Sequence, residues 1–149
     1  MNKVVKISNG AEETFEIAKE LASKTTYPAL IGLTGELGTG KTTFAKGFAC
    51  GLDIKEFVTS PTFLGISEYY SGKLPFIHMD FYKKVVDIEN INSYLKKKSI
   101  VLIEWIENFS SVFGNELDCD TRVYIQYLKD DKGNILDNGR QIIIDPIDL

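Results

Sequence analysis

Ala29-Leu30-Ile31-Gly32-Leu33-Thr34-Gly35-Glu36-Leu37-Gly38-Thr39-Gly40-Lys41-Thr42-Thr43-Phe44 decides the fold. Its first five residues are an apolar run closed by turn residues, the pattern of a strand buried on both faces of a largely parallel sheet. Residues 35–42 then match Gly-x-x-x-x-Gly-Lys-Thr, the phosphate-loop pattern. Gly35 and Gly40 let the main chain turn tightly and expose its N–H groups to phosphate oxygens. Lys41 can reach the β- and γ-phosphates, and the Thr42 hydroxyl can ligate Mg²⁺. Beyond the loop, Phe44, Ala45, Phe48, Ala49 and Leu52 recur at helical spacing, with Gly51 near the helix end. Strand, glycine loop and helix arrive in the required order, and the helix turns its positive end toward the same anion. The pattern predicts an ATP and Mg²⁺ site. Its cofactor-binding residues are Gly35, Leu37, Gly38, Thr39, Gly40, Lys41, Thr42 and Thr43.

Outward from this segment, Val4-Val5-Lys6-Ile7 reads as a short strand. Asn9 is a candidate helix cap with Glu12 three residues on, ahead of an apolar face of Phe15, Ala18, Leu21 and Ala22. Residues 76–79 and 99–103 are two more buried strands, with a helix expected over 88–95 between them. Residues 122–128 and 140–145 suggest a β-hairpin whose turn region runs over 129–139. The fold expected is an α/β three-layer, P-loop NTPase-like domain over residues 1–149, with a mostly parallel sheet and antiparallel edge strands.

A phosphate-loop enzyme also needs an acid at the end of a neighbouring strand, to hold the metal's hydration shell or to orient the attacking water. Glu104 follows four consecutive apolar residues, as a Walker B acid does. Asp80 also ends an apolar strand. Lys41, Asp80 and Glu104 are therefore the candidate catalytic residues, and Thr42 with Glu104 the candidate metal ligands. His78 shares the face of Asp80 two residues on, and a core or hydrogen-bonded role is the simpler reading for it. Trp105 and Tyr82 are candidates to border the nucleotide, against the commoner role of packed aromatics; the residues alone leave that choice open.

Bulk properties exclude several other classes. A chain of 149 residues with 44% hydrophobic residues can bury a core of its own but leaves no room for a second full domain. No run reaches the roughly 18 apolar residues of a membrane span, and the start lacks the order of a signal peptide, so a cytoplasmic location without membrane attachment is expected. Cys50 and Cys119 lack the close Cys or His companions of a zinc site and read as reduced thiols. The net charge of −4, with Lys96-Lys97-Lys98 as the one lysine run, predicts a solvated helix end there rather than a nucleic-acid patch. No internal repeat or long linker is present.

Taken in order, the segments Gly-Glu-Leu-Gly-Thr-Gly-Lys-Thr-Thr-Phe (35–44), Ser60-Pro61-Thr62-Phe63, Glu68-Tyr69, His78-Met79-Asp80-Phe81-Tyr82 and Ile103-Glu104-Trp105 resemble those of the TsaE (YjeE) ATPases of bacterial tRNA threonylcarbamoyladenosine biosynthesis. The resemblance implies an ATPase that acts with the TsaB and TsaD proteins to make N6-threonylcarbamoyladenosine at position 37 of tRNA, with the tRNA reached through the complex. It implies Lys41 and Thr42 at phosphate and Mg²⁺, Glu104 as the Walker B-like acid, Asp80 in support of hydrolysis, Trp105 beside the nucleotide, and a switch-like loop over 60–63. Lys83 stands where the family usually has Arg, Ile106 where it has Pro, and the segment between Asp80 and Glu104 looks shortened.

Two other readings use the same loop. A small nucleoside or nucleotide kinase would close an arginine-bearing lid over the phosphoryl group, whereas this chain has only Arg122 and Arg140, both in the expected hairpin. An adaptor without significant hydrolysis would use ATP only to order the 60–63 loop for a partner. A GTPase is disfavoured because no Asn-Lys-x-Asp segment follows the loop.

Overall fold

The computed structural model describes residues 3–25, 28–61 and 65–146. Strands that alternate two buried faces need a helical layer on each side, and that requirement organises the chain. The elements run β1 (Val4–Ser8), α1 (Ala11–Lys24), β2 (Ala29–Gly35), α2 (Lys41–Gly51), β3 (Ile66–Tyr69), β4 (Phe76–Asp80), α3 (Ile88–Lys96), β5 (Ile100–Glu104), α4 (Glu107–Phe113), β6 (Thr121–Lys129) and β7 (Ile135–Pro146). They form one seven-stranded sheet in the order β1-β7-β6-β2-β5-β4-β3. The four central strands β6, β2, β5 and β4 are parallel, while β1, β7 and β3 attach antiparallel at the two sides.

The period of two sorts the core. Ile31, Leu33, Ile100 and Leu102 face α1 and α2, where they pack with Ala18, Phe44 and Phe48. Leu30, Val101 and Ile103 face the other way, against Ile91 of α3 and Phe109 of α4. Helices α1 and α2 approach closely because Gly47 has no side chain: a Cβ there would lie 2.2 Å from the Phe15 carbonyl oxygen. Ile106, which follows Trp105, is buried in the second cluster.

The three-layer, mostly parallel architecture is the expected one, and three local expectations change. Gly10, not Asn9, caps α1 without a side-chain bond, and it is Glu13 rather than Glu12 that reaches back to accept from the Asn9 N–H at 2.7 Å. Thr14 takes the buried place expected of Phe15, because its hydroxyl pairs with that of buried Ser8 at 2.7 Å. The turn of the hairpin is shorter than 129–139, since β7 begins at Ile135 and a compact Asp130 turn closes it. Cys50 and Cys119 are free thiols, and burial pushes the Cys119 thiol up to about 11. No helix among the described residues is long and apolar enough to cross a membrane.

Candidate functional site

The glycine loop leaves β2 and enters α2 through two residues that only glycine adopts without strain: Gly38 has φ 81° and Gly40 φ 112°. Gly35 is required for a different reason, because a Cβ there would stand 2.7 Å from both the Ile125 carbonyl oxygen and Thr39 Oγ1. Thr39 is buried, and its hydroxyl and N–H both donate to the Glu36 carbonyl, at 2.8 and 3.2 Å, which folds the loop on itself. Lys41, the first residue of α2, is also buried. Its Nζ donates to the carbonyls of Gly35 at 2.5 Å and Glu36 at 2.9 Å. Desolvation holds its ammonium below the usual lysine range, and the negative charges of Glu104, Glu107 and Asp80 partly offset that effect.

The two acids meet this lysine through strand register. Asp80 and Glu104 are directly opposed at the ends of the adjacent parallel strands β4 and β5, so both side chains leave the sheet on the α2 face. His78, two residues before Asp80, donates from Nε2 to Glu104 Oε2 at 2.6 Å, and both side chains are buried. Its Nδ1 has no partner among the described residues, so the proton belongs on Nε2, where the bond fixes the Glu104 carboxylate. Asp80 accepts from the Tyr82 N–H at 2.9 Å and the Ser60 hydroxyl at 3.1 Å. Burial pushes its carboxyl above the ordinary aspartate value and the neighbouring Glu104 adds to that, while the two donors oppose it.

Trp105 follows Glu104 with φ 58°, a left-handed conformation rare for a bulky residue. Strand alternation would send its ring to the face opposite Glu104. The left-handed turn instead carries the indole over Lys41 Nζ, 4.2 Å from the ring centre, and 5.0 Å from the Tyr82 ring. A cavity of about 500 Å³ results, lined by Leu37, Gly38, Gly40, Lys41, Thr42, Thr43, Asp80, Glu104 and Trp105, with Ser60, Tyr82 and Lys83 on its walls. All but two of the sequence-predicted site residues line it: Gly35 and Thr39 shape the loop from behind. In the 60–63 loop, Ser60 and Pro61 reach the cavity, whereas Thr62 and Phe63 lie outside the described residues.

Two residues that the sequence did not place here touch the loop from its far side. The Tyr127 hydroxyl donates to the Leu37 carbonyl at 2.5 Å, and Arg140 Nε donates to that of Thr39 at 3.0 Å. Neither is near the loop in sequence, and the sequence signals only that both arginines fall in the hairpin.

A sheet parallel at its centre, with a glycine loop between a central strand and the next helix and with acids ending the next two strands, β5 and β4, defines the P-loop NTPase-like class. The chain belongs within it to the TsaE family: the model described as "Threonylcarbamoyl adenosine biosynthesis protein TsaE" matches residues 8–137. The chain is 45% identical over 96 residues to a protein of Bacillus subtilis (strain 168) named tRNA threonylcarbamoyladenosine biosynthesis protein TsaE, a match covering 63% of this chain and 61% of that one. It is 34% identical over 131 residues to the protein of the same name from Aquifex aeolicus (strain VF5), covering 87% and 91% respectively. Among solved structures, the crystal structure of Bacillus subtilis YdiB superposes with a TM-score of 0.77 at 30% identity, over 99% of this chain and 87% of that one.

Proposed function

We propose that this chain binds ATP with Mg²⁺ on the 35–42 loop and hydrolyses it, as the ATPase component of the cytoplasmic machinery that makes tRNA N6-threonylcarbamoyladenosine at position 37. The observation that carries the reading is the convergence of Lys41, Asp80 and Glu104 on one cavity behind a glycine loop. Family membership supports the tRNA-modification role, and TsaB and TsaD are the proposed partners, through which tRNA is engaged.

The residues fit the proposed ligands. The glycines keep the backbone path of a phosphate cradle: a Cβ at Gly35 would strike the Ile125 carbonyl behind the loop, and Gly38 and Gly40 hold left-handed φ values at which side chains are strained. Thr42 and Glu104 offer hard oxygen donors, and Mg²⁺ needs only one or two protein ligands when phosphates and waters supply the rest. Bound Mg²⁺·ATP would supply the phosphoryl group and neutralise charge developing on its leaving oxygens. Lys41, now hydrogen-bonded to its own loop, would transfer those bonds to β/γ-phosphate oxygens. Glu104, held by His78, would ligate the metal, and Asp80 would orient the attacking water. Trp105 would lie against the nucleotide at the edge of the cavity.

Both arginines are committed elsewhere: Arg122 donates to the Leu117 carbonyl at 2.5 Å, and Arg140 to the back of the loop. With no guanidinium on the cavity wall, hydrolysis by the chain alone should be slow until a partner completes the site. The test is ATP hydrolysis by the purified chain, alone and mixed with TsaB and TsaD. Acceleration by the pair is expected. Fast turnover that the pair leaves unchanged would point to a self-sufficient ATPase of another kind, and no cleavage in single-turnover assays with the pair would make the chain an adaptor.

A further inference from the structure

The far side of the glycine loop is tied to the C-terminal hairpin with a regularity that hairpin packing does not require. Tyr127 and Arg140 are Cα partners across β6 and β7, so their side chains share one face, and the register shifts immediately afterwards, between Tyr127 and Lys129. The Arg140 guanidinium lies 4.7 Å from the Tyr127 ring centre. From this stacked pair the hydroxyl of Tyr127 donates to Leu37 O at 2.5 Å, Arg140 Nε to Thr39 O at 3.0 Å, and an Arg140 Nη donates to Gly38 O at the longer distance of 3.4 Å. The other Nη donates to Asp137 O at 3.0 Å and Gly139 O at 2.8 Å, which anchors the guanidinium to its own hairpin. Three successive carbonyls of the loop are thus held by two side chains some ninety to a hundred residues away in sequence.

A trans peptide points its C=O and the following N–H in opposite directions. Holding Leu37 O and Thr39 O toward the hairpin therefore turns the N–H groups of Gly38 and Gly40 away from it. The Thr39 N–H is spent inside the loop on Glu36 O, whereas those of Gly38 and Gly40 have no partner among the described residues. Both glycines sit in the left-handed region, the alternation from which anion-binding nests are built. We propose that Tyr127 and Arg140 are positioning residues that brace the loop from behind, so that the Gly38 and Gly40 N–H groups are aimed at phosphate before ligand arrives. The inference rests on the phosphate-binding reading of the loop. It makes the brace part of the affinity for the ligand's phosphates and gives it no contact with the nucleoside.

Tyr127→Phe keeps the ring and removes the donor, while Arg140→Lys keeps the charge and removes the planar fork that reaches several carbonyls at once. Calorimetric titration of each variant with ADP and, separately, with inorganic pyrophosphate reads the effect. Both ligands should weaken by the same factor, about tenfold for Arg140→Lys and about threefold for Tyr127→Phe. Amide hydrogen exchange of the ligand-free protein at Thr39, whose N–H is held on the Glu36 carbonyl inside the loop, should speed up, with the thermal midpoint nearly unchanged. Unaltered affinity for both ligands in both variants would overturn the brace. A loss confined to ADP would overturn it too, assigning Arg140 to the nucleoside. Wild-type protein that binds neither ligand would overturn the phosphate-loop reading itself, a result distinct from the other two.

Discussion

The two sides of the sheet serve the same loop by different physics. On the parallel side, β2, β5 and β4 end together, and their register brings Lys41, Asp80 and Glu104 to one cavity. On the other side of β2, the hairpin made by β6, itself parallel to β2, and the antiparallel β7 approaches from behind and offers only hydrogen-bond donors to main-chain carbonyls. Charge concentrates where parallel strands end because only there do the carboxyl ends of adjacent strands line up around a helix N-terminus. Strand β6 also runs parallel to β2, but it continues past the loop into its hairpin with β7, so that side contributes through a cross-strand pair placed by register.

If that division is right, substitutions on the parallel side should cost chemistry before stability. Glu104→Gln removes the charge but keeps the shape. It should lower single-turnover ATP cleavage in the presence of TsaB and TsaD about a hundredfold or more, with a normal thermal midpoint. Near-normal cleavage would move the acid's role elsewhere. Lys41→Ala should abolish measurable nucleotide binding, since backbone N–H groups cannot replace its positive charge at the β/γ-phosphates.

Behind the site the expected cost is packing. Gly47→Ala forces a Cβ against the Phe15 carbonyl and must push α1 from α2, which should destabilise by about 2 kcal/mol and lower the thermal midpoint by about 4–8 °C. Nucleotide affinity of the folded protein should survive, and its loss would show that α1 packing and the loop are not separable.

The smallest effect is a pH dependence. Burial raises the Asp80 carboxyl above its ordinary value, so the folded state resists its ionisation. The stability this represents is complete below the unfolded value and is lost as pH rises through the folded one. Asp80→Asn should therefore be more stable than wild type at pH 7, and the difference should shrink as pH falls through the carboxylate range to about 4. A difference in thermal midpoint that stays constant with pH would show that Asp80 bears no such strain.

What was legible in the sequence follows the same division. The apolar run 29–33, the glycine loop and the helix behind it are local patterns, and so are the strands that end in Asp80 and Glu104. The pairing of Asp80 with Glu104 and the bond from His78 depend on the register of β4 against β5, which neither strand specifies alone. Trp105 was foreseen beside the site by resemblance, but strand alternation argued against it. The left-handed backbone that reconciles the two leaves no mark in residue type. Strand β3 and helix α4 went unread because they are short, at 4 and 7 residues, and their apolar periodicity is too brief to stand out. The brace by Tyr127 and Arg140 was illegible for a further reason: its contacts join residues 90 and 101 positions apart, and its targets are carbonyls that every residue carries.

The most direct test of nucleotide phosphate binding by residues 35–42 uses Trp105, which rests over Lys41 and is the chain's one tryptophan. Indole fluorescence of wild type and Lys41→Ala should be followed while ADP or ATP with Mg²⁺ is added, with calorimetry run in parallel. A saturable change in the wild type that tracks the calorimetric isotherm, absent from Lys41→Ala, is the expected result. Equal binding by both proteins, or binding that leaves the indole spectrum unmoved, would contradict it.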